Sequence, residues 1–180
     1  MKGLKKQGFQ TRDVKVLVKA GRITKIKPGL YRLAQISPTD TTNMVELCMG
    51  IPKAVVCLTS ALAFFDLTTF VPSKISYALP RADKPIDLNS PTEPYYFSET
   101  QYKAGIQEIE TKGGTIRVYG PEKTICDSFR FRNKLGEDIA LEALKTYLRR
   151  RDRNLNKLMK YAEICRAKGI ISQYVRVIVG

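Results

Sequence analysis

Between Thr11 and Ala20, Val14, Leu17 and Val18 fall at i, i+3 and i+4. That spacing predicts a short helix with one buried stripe. Thr11 is placed to cap its N-terminus, Asp13 suits the first turn, and Gly21 suits the position just past the end. Arg12, Lys15 and Lys19 then fall on the opposite face. Upstream, Gly3 to Lys6 reads as the last part of another helix ending at Gly8, with Phe9 turned into the core. After Gly21 the period changes. Ile23 and Ile26 mark one short strand, and Leu30 to Leu33 a second. Pro28-Gly29 between them is a type II turn pair, proline fixing φ at i+1 and glycine supplying a positive φ at i+2. Residues 36–43, around Ser37-Pro38-Thr39-Asp40, read as a linker.

The middle of the chain mixes periods. Met44 to Met49 predicts a short helix, and Val55 to Leu67 a buried one with strand character at its start. Strands follow at Ile75–Leu79, near Tyr95–Phe97, at Ile106–Glu110 and at Thr115–Tyr119. The last two are joined through Lys112-Gly113-Gly114, a hairpin signal. From Pro121 onward the pattern is helical. Pro121 fits the first position of a helix carrying Ile125 and Phe129 to about Lys134, stopped by Gly136. A second stripe runs from Ile139 to Leu148. A third, from Leu155 to Cys165, is capped by Asn154 and ended by Gly169, and a fourth runs from Ile170 to Ile178. The expected fold class is therefore α+β. Residues 1–35 form a winged helix-turn-helix, and residues 44–180 a mixed α+β domain closing in a bundle of about four short helices.

Charge changes this picture more than composition does. The 180 residues are 43% hydrophobic and 27% charged, as in an ordinary folded protein. Net charge is +14, and it is unevenly placed: +9 over residues 1–35, −2 over 36–120 and +7 over 121–180. Two basic ends around a near-neutral middle point to a polyanion, nucleic acid first. No histidine is present, which removes Ser-His-Asp and Cys-His catalysis and every histidine-containing metal site. Cys48, Cys57, Cys126 and Cys165 form no C-x-x-C pair and sit among apolar neighbours, as buried reduced thiols do. Neither a secretory signal nor a bilayer-length apolar run occurs, so the expected address is the cytoplasm, with no membrane partner.

Three blocks carry a family resemblance. The most specific is Val118-Tyr119-Gly120-Pro121-Glu122-Lys123-Thr124-Ile125-Cys126-Asp127, continuing through Phe129-Arg130-Phe131-Arg132-Asn133-Lys134-Leu135-Gly136 to Tyr147-Leu148-Arg149-Arg150. The others are Cys57-Leu58-Thr59-Ser60-Ala61-Leu62-Ala63 and the wing-like Lys27-Pro28-Gly29-Leu30-Tyr31. Together they resemble the AbiEi family of type IV toxin–antitoxin antitoxins over almost the whole chain. The resemblance implies a DNA-binding autorepressor that binds inverted repeats in its own promoter. It also implies an antitoxic role for the second domain against a nucleotidyltransferase toxin, in an abortive-infection (phage defence) operon, without a stable complex. Family members usually have a further helix before the one ending near Gly8. Only about ten residues precede Thr11 here, so either the chain starts late or the winged helix is incomplete.

On this reading the Thr11–Ala20 helix enters the major groove. Arg12 and Lys15 read bases, Lys19 and the wing cations Arg22, Lys25, Lys27 and Arg32 contact phosphate, and Thr11 belongs to the same DNA-binding set. The second candidate surface is a C-terminal basic patch of Arg130, Arg132, Lys145, Arg149, Arg150, Arg151 and Arg153, assigned to antitoxicity. Cations closing a helix also complement its dipole, and Lys123 with Asp127 makes an i, i+4 pair. Two other functions stay open. A non-catalytic RNA- or protein-binding module would rely on the arginine patch. A Mg²⁺-dependent nuclease would use Glu110-Thr111-Lys112 with Asp83 or Asp87. The chain has no phosphate-binding G-x-x-x-x-G-K-[ST] loop and no Gly-Ser element followed by Asp-x-Asp, so neither a P-loop NTPase nor the nucleotidyltransferase is expected. The sequence thus predicts a regulator without catalytic residues, metal or cofactor.

Overall fold

The computed structural model describes residues 10–37 and 39–179. The expectations for Gly3 to Lys6, Gly8 and Phe9 lie outside them. The first helix, α1, is Thr11–Lys19, followed by the hairpin β1 (Ile23–Lys27) and β2 (Leu30–Leu33). Its N-cap is Gln10 rather than Thr11, because the Gln10 backbone N–H donates to Asp13 Oδ2 at 2.8 Å. Gly21, at φ +65°, follows the helix as expected, and Gly29, at φ +88°, supplies the turn. The linker is shorter than the sequence implied. Thr39 accepts from the Thr42 N–H and starts α2 (Asp40–Gly50) within it.

Beyond α2 the order is β3 (Val55–Val56), α3 (Leu58–Phe64), β4 (Ile75–Pro80), β5 (Thr92–Phe97), α4 (Glu99–Lys103), β6 (Ile106–Thr111) and β7 (Gly114–Tyr119). The helices α5 (Pro121–Arg130), α6 (Arg132–Leu135), α7 (Glu137–Arg149), α8 (Leu155–Ile164) and α9 (Lys168–Val179) close the chain. The protein is a mixed α+β fold with nine helices and two sheets among the described residues. The larger sheet has strand order β5-β4-β3-β7-β6, with β4–β5 and β3–β7 parallel and the other pairs antiparallel. No described helix is long and apolar enough to cross a membrane.

Strand alternation sorts the core onto two faces. Val56, Tyr77, Leu79, Ile116 and Val118 pack with Met44, Val45 and Leu47 of α2 and with Ile51 just beyond it. Val55, Ala78, Tyr95, Phe97 and Tyr119 face the other way, against Tyr102, Phe131 and Leu135. A third cluster lies among α3, α5, α7, α8 and α9, around Ile125, Phe129, Leu144, Leu158 and Ile171. At the centre is α5, which is buried at every position from Glu122 to Phe129. Its polar side chains find partners inside the fold, although Glu122 Oε2 has an ion pair and no hydrogen bond. Thr124 donates to the Tyr119 and Gly120 carbonyls, and Tyr147 donates to Glu122 at 2.9 Å. Lys157 forms an ion pair with Glu122 at 3.0 Å. Lys123 pairs with Asp127 at 2.5 Å, both side chains being fully buried, and Asp127 also accepts from the Cys165 thiol at 3.2 Å. Burial raises the Asp127 carboxyl above the usual carboxylate range, opposed by the Lys123 ammonium.

Two helix ends in the C-terminal part differ from the sequence reading. The helix from Pro121 breaks at Phe131 instead of continuing to Lys134, so that Phe131 can reach the rings of Tyr95 and Phe97. The Leu155 helix ends at Ile164, where Arg166 adopts φ +59°, and Gly169 lies inside α9. The short helix α4 had no signal, since five residues do not display a helical period.

Removing one member of the buried pair leaves an uncompensated charge. Asp127→Ala is expected to lose about 3–5 kcal/mol in urea denaturation at pH 7, while Lys123→Met with Asp127→Leu recovers most of that loss. A second test uses Glu142, which accepts from the Thr68 hydroxyl at 2.6 Å and from the N–H and hydroxyl of Thr69 at 2.9 Å. The Thr68 hydroxyl is the largest of the three influences that lower its carboxyl below the usual glutamate range. A lowered folded-state pKa gives stability that is present above the unfolded value and lost as pH falls through the folded one. The melting-temperature gap between wild type and Glu142→Gln should therefore be full at neutral pH and close below about pH 4.

Candidate nucleic-acid interface

The sequence offers eight N-terminal groups for a polyanion, and their surroundings divide them. On α1 the buried side is set by Val14, 5% exposed, with Leu17 partly covered beside it. Helical geometry then turns Arg12, Lys15 and Lys19 outward. All three are exposed and have no hydrogen-bond or ion-pair partner among the described residues. Thr11, also exposed, occupies the first turn of the same helix. Asp13, the one acidic residue in residues 1–35, is held by the Gln10 N–H. Arg22 and Lys25 of the hairpin side are likewise exposed and unpaired. A cleft of about 320 Å³ separates α1 from the hairpin, with Val14, Val18 and Tyr31 as apolar lining and Lys15, Lys19 and Lys25 around it.

Lys27 and Arg32 are used differently. Lys25 pairs with Tyr31 and Lys27 with Leu30, so Ile26 is an extra residue in β1, a bulge. Its side chain is 3% exposed, and its carbonyl accepts from the Asn89 N–H at 3.0 Å. The bulge re-aims Lys27, whose ammonium donates to the Gly50 carbonyl at the end of α2. Arg32 forms an ion pair with Glu46 of α2 at 3.0 Å, the two side chains being 16% and 9% exposed. Asn89 also donates its side-chain amide to the Lys25 carbonyl at 3.3 Å. These contacts fasten the hairpin to the large sheet's unit. No pattern in the sequence marks Asn89 or Glu46 as the groups that hold it.

The C-terminal patch is not one surface. Arg130 donates to Gln101 and lies over the Phe97 and Phe131 rings at 5.6 and 5.1 Å, and Arg132 donates to the Phe129 carbonyl at 2.9 Å. Both precede α7, whereas Arg149 closes that helix and Arg150 to Arg153 follow it, roughly 18 Å away at 1.5 Å per residue. Arg150 binds Asp152 at 3.1 Å and the Phe65 carbonyl at 3.1 Å, and Arg153 donates to the Arg150 carbonyl. Lys145, Arg149 and Arg151 are exposed and unpaired.

The residues proposed for a metal are likewise apart. Glu110, on β6, accepts from Thr115 at 2.7 Å, and Asp83, beyond β4, pairs with Lys53 at 2.9 Å. β6 lies three strands from β4, about 14 Å across the sheet. Among the described residues no group of three or more histidine, cysteine, aspartate or glutamate side chains is arranged to hold a metal ion. The four cysteines are buried and free, and burial pushes the thiols of Cys48, Cys57 and Cys126 up, away from the reactive thiolate. No protein-family model matches the chain, and no curated protein matches it in sequence.

The two kinds of hairpin cation are separable by stability. Arg32→Ala leaves Glu46 buried without its partner and should cost about 1–3 kcal/mol in urea denaturation. Lys25→Ala, at an unpaired exposed position, should stay within about 0.5 kcal/mol of wild type.

Proposed function

We propose that this protein is a DNA-binding regulator that uses α1 and the β1–β2 hairpin to bind its own promoter, in the manner of the AbiEi antitoxins it resembles. The observation that carries this reading is the cluster of five exposed cations without partners among the described residues, Arg12, Lys15 and Lys19 on α1, Lys25 on β1 and Arg22 between them, a stretch that contributes no free acid. A helix followed directly by a basic hairpin is the recognition half of a winged helix, where the helix takes the major groove and the wing takes phosphate. Arg12 and Lys15 are the base-reading groups, and Lys19, Arg22 and Lys25 supply salt-dependent affinity. Lys27 and Arg32 act as mounts for the wing. The larger α+β unit carries the antitoxic role against a nucleotidyltransferase toxin, and the protein works in the cytoplasm. A second reading, an RNA- or protein-binding module, draws on Lys145, Arg149 and Arg151, which are exposed and unpaired at the end of α7.

The deciding experiment is fluorescence anisotropy with the duplex upstream of the protein's own gene and a scrambled duplex of equal length, each at two salt concentrations. Native preference should persist at the higher salt and disappear in Arg12→Ala with Lys15→Ala. Each phosphate contact removed should flatten the salt slope by roughly 0.9. Equal binding to both duplexes that collapses with salt would overturn the regulator reading. Binding that survives those substitutions but fails in Arg149→Ala with Arg151→Ala would favour the second reading.

A further inference from the structure

The outward face of α1 contains one residue that charge does not account for. Val16 is 60% exposed, whereas Val14, two residues away, is 5% exposed. At 3.6 residues per turn the two lie about 160° apart, so Val16 sits at the middle of the outward face. Arg12 at i−4 and Lys19 at i+3 flank it on adjoining turns, with Lys15 beside it, and none of these cations has a partner. A β-branched residue at an exposed helix position gains no packing and is a poorer helix former than alanine, so the fold itself does not favour it there. A single exposed valine is ordinary on a protein surface. What distinguishes this one is its place inside a cluster of free cations.

Cations alone attract the phosphate backbone and, through arginine, guanine. A branched apolar side chain among them provides a different chemistry. In the major groove the one apolar group that a base pair presents is the 5-methyl of thymine. We propose, resting on the DNA-binding reading above, that Val16 is a specificity-determining residue that packs against thymine methyl groups. Arg12 and Lys19 hold the helix in the groove on either side of it. The cleft between α1 and the hairpin lies on one flank of this face, with Lys15, Lys19 and Lys25 around it. A strand backbone lying along that cleft leaves Val16 free to reach the base edges.

The test uses the full chain and the duplex upstream of its own gene, prepared once with thymine and once with uracil in place of every thymine. Uracil pairs identically and lacks only the methyl group. Wild type should bind the uracil duplex about fourfold more weakly for each methyl it buries. Val16→Ala, which favours the helix and leaves the charge unchanged, should bind both duplexes alike, with the salt slope of wild type. Lys19→Ala should do the reverse, lowering the salt slope while keeping the thymine preference. Equal wild-type binding to the two duplexes, or a thymine preference that survives in Val16→Ala, would overturn the assignment and leave DNA binding intact. Absence of any preference for the native thymine duplex over a scrambled one would overturn the DNA reading and this inference together.

Discussion

The ion pair between Lys123 and Asp127 is the constraint around which the large unit is arranged. Two full charges have left water inside one turn of α5, and desolvation of that kind costs several kcal/mol per ion unless every lone pair and proton finds a partner. The partners come from separate parts of the chain. Asp127 takes the Cys165 thiol from the end of α8, and the Lys123 ammonium lies over the Tyr119 and Phe97 rings at 4.2 and 5.0 Å. β7, β5, α5 and the α8–α9 turn must therefore arrive together. Gly105 belongs to the same arrangement. Its φ is +77°, and a Cβ there would stand 2.9 Å from the Lys123 Cβ, so the entry to β6 lies directly against the stem of the buried lysine. An apolar pair of the same volume would pack as well, but it would not require these partners in these places.

Much of this fold was legible in the residues because most of its elements bury one face. Val14 and Leu17 on α1, the alternation of Ile116 and Val118 on β7, and the stripe from Ala140 to Leu148 on α7 each announce their period. The centre was not legible for the same reason. In α5 every residue from Glu122 to Phe129 is inside, so no period separates a wet face from a dry one. Lys123 and Asp127 then look like a surface i, i+4 pair. The chain end of α8 misled in another way. Glycine is the usual residue past a helix end, but Arg166 takes the left-handed conformation, its side chain remaining exposed. That leaves Gly169 to be carried within α9.

The candidate interface was legible as a quantity of charge and not as a surface. A segment of +9 is suited to attract a polyanion, but the charge count does not distinguish a cation facing water from one facing a carbonyl. Strand alternation puts Lys25 and Lys27 on one face, and the bulge at Ile26 separates them. Arg32 resembles its neighbours until Glu46 arrives from α2, fourteen residues later. The exposed Val16 was the opposite case. Its position on the helix was readable, but the sequence reading gathered the apolar positions that form a stripe and passed over the one that does not.

Fastening the hairpin has a consequence for recognition. A flexible wing bearing four cations would gain more phosphate contacts but would have to be ordered each time it bound. Here Lys27 and Arg32 are tied to α2, Asn89 holds the backbone at Lys25 and Ile26, and Leu88 beside it packs where Gly50 leaves room. Two cations of the hairpin are committed to a fixed relation between the hairpin and α2. On the DNA-binding proposal the ordering cost is already met in the fold, and the remaining cations would confer orientation as well as attraction. The Arg22 N–H donates to the Leu17 carbonyl at 3.0 Å, so α1 runs directly into the fastened hairpin. On the same proposal that connection is what holds the helix axis at a set depth, which a side chain as short as valine needs to reach a base edge.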